Sequence, residues 1–211
     1  MSASVSEIIE ACESTTFKTH PKIVQGVELI LVGLEELYGL IRTPDMATTP
    51  ERVARMYAEL CVGLQEDPKE FLKVRMPAPD PPNIIVTGGI EFISVCRHHL
   101  AIIEGSAYIG YLPKNEIVGL SKIGRVVDTF AKRPQVQEEM TNQIADIIDT
   151  ELQPQGVIVV ISAKHDCMCT RGIHKKSSTT QTSAVRGVFR TNVAGCKEEF
   201  FNLLRLKYDV D

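Results

Sequence analysis

Two short clusters of soft metal ligands lie in different halves of the chain: Cys96-Arg97-His98-His99 and His165-Asp166-Cys167-Met168-Cys169. Thiolate and neutral imidazole suit a borderline-soft ion such as zinc. A fold that uses them together must bring two distant segments to one point, and few arrangements do so. Cys96 and His99 stand at Cys-x-x-His spacing, which lets one tight turn aim both at the same ion. Cys167 offers a third ligand. With water in the fourth position such a centre is catalytic; with Cys169 or His165 there it is closed and structural. Buried thiols and satisfied histidines are the plainer reading of any one of these residues. The ligand types alone leave the open and closed sites undecided.

The rest of the chain sets bounds. With 211 residues, 44% hydrophobic and 24% charged, it is long enough to bury a core in one or two domains. A net charge of −4 gives no reason to expect nucleic acid as a partner. The N-terminus lacks a charged-then-apolar leader pattern, and no apolar run approaches membrane-spanning length. No membrane partner is expected, the location is expected to be cytoplasmic, and the six cysteines read as reduced. Cys12, Cys61 and Cys196 read as packing residues.

Apolar residues recur at Ile23, Val27, Ile30, Leu31, Leu34, Leu37, Tyr38 and Ile41, one face of a helix over 21–41. Thr49-Pro50-Glu51 opens a second helix, with Thr49 as N-cap and an inner face of Val53, Met56, Tyr57 and Leu60. The run Pro77-Ala78-Pro79-Asp80-Pro81-Pro82 is a stiff connector, so residues 1–82 read as a helical region and 83–211 as the core domain that carries both ligand clusters. Extended segments follow at 84–87 and 89–95, with Gly88-Gly89 as a turn. A hairpin over 100–112 is expected to turn near Glu104-Gly105. Next come a helix with Ile123, Val126, Val127 and Phe130 inward, and another from Pro134 with Val136, Met140, Ile144, Ile147, Ile148 and Leu152 inward. Val157–Ile161 is a continuous β-branched run, hence a central strand. Ala184–Phe189 and a helix over 198–206 end the chain. The core reads ββ, αα, ββ, an α+β fold without a Walker A or Gly-x-Gly-x-x-Gly loop.

Five motifs stand in one order: Cys96-Arg97-His98-His99, Gly119-Leu120-Ser121-Lys122-Ile123, Arg133-Pro134-Gln135-Val136-Gln137-Glu138, His165-Asp166-Cys167, and Arg171-Gly172. Together they resemble GTP cyclohydrolase I, over about three-quarters of the chain. The resemblance implies the tunnelling fold, whose antiparallel ββααββ units assemble into rings, here a homodecamer of two pentamers. It also implies conversion of GTP and water to 7,8-dihydroneopterin triphosphate and formate. On it, Cys96, His99 and Cys167 are the ligands of Zn2+, and Cys169 is not. His98 and His165 are proton-transfer groups, and Ser121 lies near the ribose. Glu138, with Gln137, binds the guanine edge. Lys122, Arg125 and Arg171 hold the triphosphate, with Arg52 contributed by another subunit.

The chemistry asks for these residue types. Purine C8 is a poor electrophile until N7 is protonated, a task for a histidine titrating near neutrality. Zinc contributes Lewis acidity towards water. A carboxylate at Glu138 accepts from guanine N1–H and the 2-amino group, a pair adenine lacks. Lys122 and Arg125 lie three apart near a helix start, where backbone N–H groups also favour an anion. Arg97 departs from the pattern, since the family usually carries glutamate there. It either faces the site or pairs at the surface with Glu91 or Glu104. Two rivals remain: a same-fold enzyme acting on another pterin or deazapurine, and a non-catalytic, zinc-stabilised assembly protein.

Overall fold

The structure, a computed structural model, describes residues 17, 19–192 and 195–205. The motif-free first 16 residues, including Cys12, and Leu206 lie outside that set. The chain divides into two compact units between Glu59 and Leu60.

In the first unit, helix α1 (Pro21–Tyr38) is capped by His20, whose Nδ1 accepts from the Lys22 N–H at 3.2 Å. It ends at Gly39, which adopts a left-handed φ of 67° and returns its N–H to Glu35, so Ile41 falls outside the helix. Of the expected apolar face only Leu31 is buried; Ile23, Ile30, Leu34, Leu37 and Tyr38 are exposed in the single chain. Helix α2 (Thr49–Leu60) follows a 3₁₀ turn over Pro44–Thr48 without a break. Thr49 therefore has helical φ and ψ of −59° and −43° and is not the expected N-cap. Pro50 and Ala54 are its buried residues, and Met56, expected inside, is exposed.

In the second unit the strands are β1 (Arg75–Pro77), β2 (Ile85–Cys96), β3 (Ile102–Leu112), β4 (Glu116–Val118), β5 (Pro134–Gln135), β6 (Gly156–His165) and β7 (Thr180–Gly187). The helices are α3 (Leu120–Ala131), α4 (Gln137–Leu152), the single turns α5 (Asp166–Cys169) and α6 (Val188–Thr191), and α7 (Cys196–Arg205). The main sheet has the order β5-β2-β3-β6-β7, antiparallel except where β5 joins β2. The ββ, αα, ββ order is therefore present. β1 pairs with β4 as a separate two-stranded sheet, and Leu72 is fully buried in the main core.

Alternation along β6 explains its unbroken apolar run. Val157, Val159 and Ile161 face the core shared with Ile123, Val126, Met140, Ile144 and Ile148 of α3 and α4. Ile158 and Val160 face a second cluster with Phe189 and Phe200. A strand covered on both faces needs no polar alternation. Two turns expected from glycine are absent. Gly88-Gly89 forms an irregularity inside one continuous strand β2, with Gly89 at φ 67°. Gly105 lies inside β3, where a Cβ would sit 2.4 Å from the Ser162 carbonyl oxygen and 2.6 Å from the Ala163 Cβ. Glycine is there for close strand packing, not for a turn.

Candidate active site

The actual β2–β3 turn is the ligand turn. It runs from Cys96 to Ala101, closed by Cys96 N–H to the Ala101 carbonyl and Leu100 N–H to the Cys96 carbonyl, each 2.8 Å. Leu100 takes a left-handed φ of 52°, a conformation rare for a branched side chain and common at sites held by their surroundings. The register then does the assembling. Ile103 of β3 pairs with Ser94 of β2 on one side and with His165 of β6 on the other. Cys96 and His165 thus emerge at the same end of the sheet, and α5 carries Cys167 there directly after His165. The 134–135 strand pairs beside Cys96, and Arg97 N–H donates to the Gln135 carbonyl at 3.0 Å. This delivers the start of α4, with Gln137 and Glu138, to the same end.

Cys96, His99 and Cys167 converge, with their ligand atoms all within 4.8 Å of one another. Cys96 Sγ lies 3.7 Å from His99 Nδ1. Cys96 is buried, Cys167 half-buried and His99 exposed, so the group opens outward. Burial, then the negative charge and hydrogen bond of Cys96, push the Cys167 thiol above its ordinary value; Arg171 opposes this. Two thiolates held this close repel each other, and a cation between them relieves that repulsion. The donor set therefore fits a metal. Cys169 is turned away: it is buried, and its thiol donates to the Lys175 carbonyl at 3.4 Å.

His165 Nε2 stands 2.7 Å from Gln137 Oε1. Burial holds the imidazole below its ordinary pKa, against the pull of Glu138. Gln137 itself is 3% exposed, and its amide nitrogen reaches three internal acceptors: the carbonyls of Ile161 (3.2 Å) and Thr180 (3.0 Å) and the Thr182 hydroxyl (3.1 Å). Its side chain is committed inside the protein and not presented beside Glu138, which is exposed in the first turn of α4.

Arg97 pairs with neither Glu91 nor Glu104. Its guanidinium makes two hydrogen bonds to Glu139, of 3.0 and 2.5 Å, tying the ligand turn to the first turn of α4. The Arg97 backbone, hydrogen-bonded to the Gln135 carbonyl, already lies beside the segment that leads into α4, which puts Glu139 within reach of its side chain. His98 is exposed, its ring edge-on to His99 with centroids 6.3 Å apart. Ser121 is exposed and Lys122 half-buried in the first turn of α3. Arg125 lies over the Phe71 ring, 5.7 Å from its centroid, and lines an open cavity of about 260 Å³ with Glu66, Asp128 and Lys132. Arg171 is exposed in the loop after α5. Arg52 belongs to the first unit, exposed on α2 and electrostatically close to Asp45. Sequence reasoning missed Glu139, Thr141 and Thr182. The spacing of Gln137 and Thr141, one helical turn apart, was the available signal for one of them.

Residues 26–205 match the family described as GTP cyclohydrolase I. The GTP cyclohydrolase 1 of Clostridioides difficile (strain 630) is 49% identical over 190 residues, covering 88% of this chain and 96% of that protein. That of Pelotomaculum thermopropionicum is 46% identical over 188 residues, 87% of this chain and 96% of that one. That of Mycobacterium tuberculosis (strain H37Rv) is 47% identical over 176 residues, 81% and 87% respectively.

Proposed function

The chain belongs to the GTP cyclohydrolase I family, and we propose that it converts GTP and water to 7,8-dihydroneopterin triphosphate and formate, a step of pterin biosynthesis. The observation that carries this reading is the outward-opening convergence of Cys96, His99 and Cys167 beside the start of α4. Zinc is the ion we assign to them, because two thiolates and an imidazole are its preferred donors and three protein ligands leave a position open. When bound, it supplies the Lewis acidity that makes water nucleophilic near neutral pH.

The chain's own residues then divide the remaining work. Glu138 accepts from guanine N1–H and the 2-amino group, which selects guanine over adenine. His98 and His165 move protons: one placed on N7 makes C8 electrophilic, and others are shuttled as the ring opens and the ribose carbons rearrange. Ser121 is assigned to the ribose hydroxyls. Lys122 and Arg125 near the start of α3, with Arg171 and with Arg52 of the partner subunit, hold the triphosphate. Gln137 acts from behind His165 in this reading, because its amide is already engaged. Assembly of copies into a decamer of two pentamers belongs to the same proposal, and the exposed apolar stripe of α1 supports an interface between copies. We place the enzyme in the cytoplasm. Among the described residues no helix is long and apolar enough to cross a membrane, and the cysteines are free.

The test is incubation of zinc-loaded protein with GTP, oxidation of the products, and measurement of pterin fluorescence and released formate. Equal amounts of both are expected. Zinc bound without either product overturns the reaction in favour of a non-catalytic assembly protein.

A further inference from the structure

The polar side chains behind His165 form a circuit with one consistent assignment of protons. It starts at the backbone carbonyl of Gln137, which can only accept. Thr141 Oγ1 lies 2.7 Å from that oxygen, so the Thr141 proton is committed to it. The Thr141 and Thr182 hydroxyl oxygens are 2.6 Å apart, and Thr182 must therefore donate in that bond. A lone pair of Thr182 is left to accept from Gln137 Nε2, 3.1 Å away. The same nitrogen donates to the carbonyls of Ile161 and Thr180. Exchanging the amide's nitrogen and oxygen would set Oε1 against two carbonyl oxygens and a hydroxyl whose proton is already used. Oε1 is thus held towards His165 Nε2 at 2.7 Å, and because Oε1 cannot donate, the ring nitrogen must. Nε2 therefore carries a proton.

Location argues that this circuit serves more than packing. Gln137 and Thr141 are 3% and 1% exposed on the face of α4 that continues as Met140, Ile144 and Ile148. Apolar residues would fill such positions without any hydrogen bonds to satisfy, whereas a polar set there is stable only if every member is paired. Every atom of this one is paired, and its open end terminates on His165.

We propose that Thr141 and Thr182 are positioning residues for the reaction: through the Gln137 amide they fix the His165 ring by its Nε2–H hydrogen bond at the end of the sheet where the ligand turn lies. This rests on the reading of His165 as a proton-transfer group. Neither threonine touches substrate in this assignment, and the effect of each passes through Gln137.

Thr182→Val keeps the side-chain shape and removes one of the three groups that orient the amide. Loss of one such hydrogen bond is expected to lower kcat about fivefold to tenfold while KM for GTP stays within about twofold. Thr182→Ser, which retains the hydroxyl, should recover most of the loss, and Thr141→Val should repeat the kcat effect. Equal losses in the Val and Ser variants, or a loss carried by KM, would mean a steric role and overturn the proposal. The tautomer is also read without turnover. In long-range ¹H–¹⁵N spectra of zinc-loaded, ¹⁵N-histidine-labelled wild-type protein at mildly alkaline pH, the signals that vanish in His165→Asn should show the Nε2–H pattern. An Nδ1–H pattern overturns the circuit. A protein silent towards GTP that shows Nε2–H sinks the proposed reaction and upholds the circuit.

Discussion

The turn bearing Cys96 and His99 and the circuit behind His165 sit at one end of the same sheet, yet they are built on opposite terms. In the turn, donor atoms face one another within 4.8 Å, partly exposed, with burial and then the neighbouring Cys96 holding the Cys167 thiol above its ordinary value. In the circuit, each donor has an acceptor and two of the three side chains are nearly inaccessible. The first arrangement is incomplete without a cation. The second is complete by itself and exports only an orientation. Ligand-binding groups are thus recognisable by mutual dissatisfaction at a surface, and positioning groups by satisfaction in a core.

The largest effect should come from breaking the incomplete side. Cys167→Ser removes one of three ligands and is expected to lose bound zinc, with turnover falling more than about a hundredfold. Cys169→Ser should keep both, since that thiol is engaged with the Lys175 carbonyl. Metal content and activity of the two proteins, measured side by side, check this; loss of zinc from Cys169→Ser alone would restore the closed-site reading.

A smaller effect separates packing from positioning within the buried side. Ile144 is fully buried one face-turn from Thr141, and Ile144→Ala should cost about 2–5 kcal/mol in urea unfolding through the cavity it leaves. Thr141→Val preserves volume and should cost much less stability, its effect appearing in kcat instead. Stability losses of the same size in both variants would erase the distinction.

The smallest effect lies on the rim. Arg97 and Glu139 are about half exposed, with side-chain accessibilities of 45% and 49%. The Arg97 hydrogen bond holds the Glu139 carboxyl below its ordinary value of 4.5. A depressed folded value means that the pair stabilises above about pH 4.5 and that this contribution is lost as pH falls through the folded value. Arg97→Glu should therefore lower the melting temperature slightly at neutral pH, with the difference fading in acid, and Glu139→Arg added to it should restore the pair. Because the double variant keeps the pair neutral, the alkaline limb of the rate profile should hardly move in it. A clear shift of that limb would show that Arg97 acts on the metal site directly.

The sequence was legible where its signals are local. Ile123, Val126, Val127 and Phe130 were placed inward by helical period and are inward. It misled where one residue type serves two purposes. Gly105 reads as a turn, but its lack of a Cβ admits the neighbouring strand, so the hairpin turns at the ligand cluster instead. The face of α1 reads as core, yet most of it is exposed in one chain, since periodicity reports that a face is apolar and not what covers it.

By itself the sequence determined the inward face of α3, the buried run of β6, the metal-suited side-chain types of Cys96, His99 and Cys167, and the family, because side-chain period, ligand type and motif order are properties of the chain as written. Only the tertiary structure decided that Cys169 turns inward, that Arg97 meets Glu139, and that Gln137 belongs to His165. The reason is physical. A hydrogen bond or ion pair between distant residues depends on strand register and helix placement to within about an ångström, and no spacing along the chain carries that information.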